Sequence, residues 1–82
     1  MHYEYIPRGV CSRKIDFDIE DGKLKNVTYE GGCNGNLKGI GSLVEGMDVA
    51  ECISRIEGIQ CGRKNTSCPD QLAKALRKAT GQ

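Results

Sequence analysis

Apolar and polar residues alternate over residues 12–20, SRKIDFDIE, with Ile15, Phe17 and Ile19 on one face. A period of two marks a strand with one buried face. Residues 2–6, HYEYI, read as a shorter strand, set apart by the break Pro7-Arg8-Gly9. Asp21-Gly22 is a hairpin signal, because both positions accept φ > 0. The chain then returns through 24–30, LKNVTYE, as a third strand with Val27 and Tyr29 facing the core. Gly31-Gly32-Cys33-Asn34-Gly35-Asn36 reads as a loop with unusual backbone angles. From Leu37 the period becomes helical: Leu37, Ile40, Leu43, Val44 and Met47 recur at i, i+3, i+4 spacing, with a break at Gly46. Asp48 is placed to cap a second helix, with Val49, Cys52, Ile53 and Ile56 on one face and Gly58 as its stop. After a loop at 59–65, a last helix is predicted from about Pro69 to Ala79, with Leu72, Ala73, Leu76 and Ala79 inward. Strands grouped before helices predict an α+β fold: a three-stranded antiparallel sheet with about three helices on one face. Residues 1–82 read as a single domain, without repeats or low-complexity tracts.

Composition sharpens this picture in one respect. A chain of 82 residues without Trp, with one Phe and three Tyr, must build its core from Ile, Val, Leu and Ala. Such a core is marginal, and a metal, disulfides or self-association into a homo-oligomer commonly adds the missing stability. The formal charge of +1, from twelve Lys+Arg against eleven Asp+Glu, names no partner. Arg8, Arg13 and Lys14, like Arg63 and Lys64, read as solvated surface, and no basic cluster argues for nucleic acid. No run approaches the ~20 apolar residues that span a membrane. Residues 1–10, MHYEYIPRGV, lack a basic start followed by an apolar stretch, so the expected compartment is the cytoplasm, where thiols stay reduced.

Against that background five cysteines are an anomaly. An odd count in a reducing compartment points to metal binding or redox chemistry rather than a disulfide framework. Cys11 lies in a turn between strands, Cys33 in a glycine-rich strand-to-helix loop, Cys61 in the loop before the last helix, and Cys68 at that helix's start. Element ends are where a scaffold presents functional groups. Pro69 suits the first helical turn. Cys68 is thereby placed at or beside the N-cap, where free N–H groups and the positive end of the helix dipole favour a thiolate. If Thr66 or Ser67 caps the helix, Cys68 is only its neighbour. Cys61 and Cys68 are spaced more loosely than a CxxC knuckle. Cys52 falls on an apolar helix face, where a free cysteine behaves as a small hydrophobe. The other four, Cys11, Cys33, Cys61 and Cys68, match the number a closed tetrahedral site needs. His2, the sole histidine, reads as exposed surface. No Ser-His-Asp set can be assembled without it and no phosphate-binding loop is present, so no catalytic residue is named.

The string Thr66-Ser67-Cys68-Pro69-Asp70 spells the motif for which the TSCPD domain family is named. With Gly9-Val10-Cys11-Ser12, Gly31-Gly32-Cys33-Asn34-Gly35-Asn36 and Gly46-Met47, the chain resembles the stand-alone, four-cysteine form of that family over essentially its whole length. Related domains end the B12-dependent ribonucleotide reductases. The resemblance therefore implies a module accessory to, or derived from, a ribonucleoside-diphosphate reductase, with that reductase or another larger enzyme as partner. It implies no catalysis by this short chain alone. The cofactor it implies is zinc or an iron–sulfur cluster held by Cys11, Cys33, Cys61 and Cys68. The alternative is a thiol redox partner cycling a cysteine pair. The chain is also similar, more distantly, to the U-type iron–sulfur assembly scaffolds, whose three cysteines Cys11, Cys33 and Cys68 match in order and context. It departs from them at Arg13, at Ser67 and at Gln60-Cys61-Gly62-Arg63-Lys64-Asn65, which replaces a Pro-Pro segment. On that comparison Cys61 would supply the ligand that Arg13 and Ser67 do not.

Overall fold

A computed structural model of the chain describes residues 1–32 and 34–81. Three strands, β1 (His2–Tyr5), β2 (Ser12–Glu20) and β3 (Lys23–Gly31), precede three helices, α1 (Asn34–Val44), α2 (Val49–Ile56) and α3 (Cys68–Thr80). The sheet is antiparallel in the order β1-β2-β3. The α+β arrangement of three strands and three helices is the one that the change of period from two to 3.6 predicts. Asp21 and Gly22, at φ 53° and 74°, form the β2–β3 turn as expected.

The third strand departs from simple alternation. Asp16 pairs with Thr28 but Asp18 pairs with Lys25, so β3 carries one extra residue in a bulge. Asn26 absorbs it at φ 54°, a left-handed conformation that Asn tolerates better than most residues. The bulge resets the parity of the strand. Leu24 and Val27, three residues apart, therefore both point inward, and Leu24 is fully buried. Alternation read from Val27 and Tyr29 misses Leu24. Tyr29 does pack against the core, half-buried.

The core joins Ile15, Phe17, Leu24 and Val27 of the sheet to Val44, Val49, Cys52, Ile53, Leu72, Ala75 and Leu76 of the helices. Helix α1 begins at Asn34, so Asn34-Gly35-Asn36 form its first turn rather than a loop. Its buried side is Leu37, Gly41 and Val44. A Cβ at Gly41 would lie 2.7 Å from the Val27 carbonyl oxygen, so glycine lets the helix seat on the β3 backbone. Because that position carries no side chain, the hydrophobic pattern assigns Leu43 to the inner face instead. Leu43 is 78% exposed and, with Ile40, Met47, Ile56, Ile59 and Pro69, lines a shallow apolar groove. Asp48 occupies the N-cap of α2 but makes no side-chain capping bond; its carboxylate takes Lys23 Nζ at 2.8 Å. Ion pairing of Arg77 with Glu57 ties α3 to the end of α2. No helix of the described residues is long and apolar enough to cross a membrane.

Candidate functional site

The loop entering α3 is built by the side chains of Thr66 to Gln71. Ser67 is the N-cap: its Oγ accepts the Asp70 amide at 3.1 Å and donates to the Ile59 carbonyl at 2.7 Å. Asp70 is buried, and its carboxylate accepts the Thr66 hydroxyl at 2.6 Å and the Gly58 amide at 2.7 Å. Gln71 donates to Thr66 Oγ1 and accepts the Arg8 amide, at 2.9 and 3.0 Å. One cluster of hydrogen bonds thus pins both the 58–67 loop and the turn before β2 to the start of α3. Burial alone would raise the Asp70 carboxyl. The bonds from Thr66 and Gly58, with Lys74 nearby, outweigh it and hold the group below the usual carboxylate range.

Cys68 is the residue beside the cap, the first of α3, and it is buried. The turn pinned by Gln71 carries Cys11, whose Sγ lies 4.0 Å from Cys68 Sγ although the residues are 57 apart in sequence. Ser12 Oγ is hydrogen-bonded to Cys68 Sγ at 3.3 Å. The Tyr29 hydroxyl donates to the Cys68 carbonyl at 3.3 Å, and burial first, then the neighbouring Cys68 and Cys52, push its phenol well above its ordinary value. Cys11 itself is exposed, so the pair has one open side.

Cys33 lies outside the described residues. Its neighbour Gly32 packs beside Cys11: at φ 78°, a Cβ there would lie 3.1 Å from Cys11 Sγ and 2.9 Å from Leu37 Cδ1. Cys61 is exposed in the 59–67 loop, its amide donating to the Thr66 carbonyl at 3.1 Å. Cys61 is not gathered with Cys11 and Cys68 into a trio of sulfurs within 4.8 Å. Cys52, at 0% exposure, belongs to the core, and burial pushes its thiol up to about 11.

Residue spacing did not reveal Ser12 or Tyr29 as neighbours of Cys68. The role of Thr66 with Asp70 had a signal, a hydroxyl four residues before a carboxylate across a helix start. A second polar cluster lies elsewhere. Among the described residues the only three metal-capable donors within 4.8 Å of one another are His2, Glu4 and Asp16, on the outer face of the sheet. There His2 Nδ1 is 2.7 Å from Asp18 Oδ1. His2 and Glu4 are exposed, and the group reads as carboxylates gathered around the imidazole.

Neither a curated protein nor a solved structure matches the chain. The family model of the TSCPD domain matches residues 1–80, which include the cap network, both cysteines of the close pair and the glycine turn beside them. The chain belongs to the TSCPD domain family.

Proposed function

We propose that this chain is a small thiolate metal-binding module, for zinc or an iron–sulfur cluster, with Cys11, Cys33, Cys61 and Cys68 as ligands, accessory to a ribonucleotide reductase or another larger enzyme. The observation that carries the reading is the 4.0 Å separation of the Cys11 and Cys68 sulfurs. Two sulfurs bound at ~2.3 Å to one tetrahedral zinc stand roughly 3.8 Å apart. Thiolates are soft donors that suit zinc and iron–sulfur clusters alike. Cys33 follows the glycine that packs on Cys11, and Cys61 sits on the loop that the cap network draws toward α3. Bound zinc would cross-link these segments, and a cluster would add one-electron chemistry. Ser12 and the Tyr29 contact hold the Cys68 end of the site in place. A reducing compartment such as the cytoplasm would keep the four thiols available.

The close pair also favours a second reading, a dithiol that cycles through a Cys11–Cys68 disulfide. Its two electrons and two protons would pass to a partner's disulfide by thiol exchange. Anaerobic purification with metal and sulfide analysis and a visible spectrum separates the two. On the metal reading, wild type carries zinc or an iron–sulfur chromophore, Cys68→Ala and Cys33→Ala lose it, and Cys52→Ala keeps it. Protein free of metal at any stoichiometry sinks that reading. Mass spectrometry then shows whether a reversible Cys11–Cys68 disulfide forms.

A further inference from the structure

The two edges of the sheet are treated differently. The β3 edge is partly covered by α1: Gly41 seats against the Val27 carbonyl, and Glu45 Oε1 accepts the Asn26 amide at 2.8 Å. The β1 edge has no such cover among the described residues. Met1 and Ile19 exchange both main-chain bonds, at 2.9 Å each. Hydrogen-bonded pairs alternate along an antiparallel ladder, so Tyr3 and Tyr5 also turn their N–H and C=O groups toward β2. His2 and Glu4 turn theirs outward, as an open template for another strand.

We propose that this edge pairs with β1 of a second copy of the chain, antiparallel and centred on Tyr3, joining two three-stranded sheets into one. The outward groups select the register. Centring on Tyr3 sets His2 opposite Glu4 of the second copy, and Glu4 opposite its His2, as hydrogen-bonded pairs in which each imidazole faces a carboxylate. Centring on Glu4 sets two glutamates face to face, which is unfavourable. Centring between residues sets inner-face side chains opposite outer-face ones. The inner face agrees with the Tyr3 register. Tyr3 stacks on Phe17 with ring centroids 5.5 Å apart, and the pairing extends this row across the two-fold axis to Tyr3 and Phe17 of the copy. Met1, 78% exposed, falls opposite Tyr5 of the copy.

A four-residue edge makes a small interface, so the association is concentration-dependent. Sedimentation equilibrium up to about 1 mM, a range suited to such contacts, reads the mass directly. Wild type, and equally Cys68→Ala, moves from the 9.0 kDa of one chain toward twice that. Glu4→Pro removes an amide that faces solvent in the single chain, and it stays at 9.0 kDa with an unchanged circular dichroism spectrum. Glu4→Lys, which removes the carboxylate facing His2 of the second copy, weakens association by about tenfold or more. Hydrogen exchange gives an independent readout: the His2 and Glu4 amides slow at high concentration, whatever the fate of the proline variant. Wild type that stays monomeric overturns the proposal. So does a dimer that survives Glu4→Pro, or one broken by Leu43→Glu in the apolar groove instead.

Discussion

Asp70 concentrates the physics of the family motif in one side chain. Its buried carboxylate satisfies the Thr66 hydroxyl and the Gly58 amide, so Asp70→Ala leaves both without a partner. The expected cost is about 1–3 kcal/mol, measured by urea unfolding. The Asp70 carboxyl is lowered in the fold, so the stability it contributes is present above the unfolded value of about 3.9 and is lost as pH falls through the folded one. Wild type therefore loosens on acidification below about pH 4, and Asp70→Asn flattens that part of the profile. Cys52 has the opposite sign. Its thiol is raised to about 11, so its contribution is complete below an unfolded value near 8.5 and fades as pH climbs toward 11. In the metal-free protein, Cys52 reacts with Ellman's reagent after the exposed Cys11 and Cys61, and at full rate only on unfolding.

Helix α1 offers a test at the scale of the element, because two of its glycines should respond to alanine with opposite signs. At Gly39 an added methyl meets nothing within 4 Å, so Gly39→Ala gains helix propensity and stabilises by about 0.5–1 kcal/mol. At Gly41 the same gain is available, but the new Cβ would stand 2.7 Å from the Val27 carbonyl. Overpacking against backbone costs about 1–3 kcal/mol and outweighs propensity, so Gly41→Ala destabilises. Thermal melts of the two variants check the contrast. Gly32→Ala is harsher still, combining positive φ with a methyl 3.1 Å from Cys11 Sγ. On the metal reading it costs both stability and bound metal.

For the molecule as a whole, one small core is the principal source of stability. If the four thiols hold an ion, binding free energy becomes folding free energy. Chelation should then lower Tm by at least several degrees and Cys68→Ala should mimic it, whereas Cys52→Ala lowers Tm through its cavity alone. Calorimetry of loaded and stripped protein checks this. Self-association would add to stability in a concentration-dependent way, so the two contributions can be told apart.

The order of elements was legible from period alone, since burial on one face forces period two in a strand and 3.6 in a helix. Alternation delimits residues 12–20 as the strand that forms, and the apolar neighbours on its helix face mark Cys52 as core. The same local rules pass over Leu24 and place Leu43 on the inner face. A bulge at Asn26 changes parity without altering composition, and the inward position at Gly41 has no side chain to signal it. The cysteine candidates were visible by type and by their places at element ends. Only the tertiary fold brought Cys11 to 4.0 Å from Cys68. That proximity depends on loop contacts such as Gln71 with Arg8, made between residues 63 apart, which no local pattern encodes.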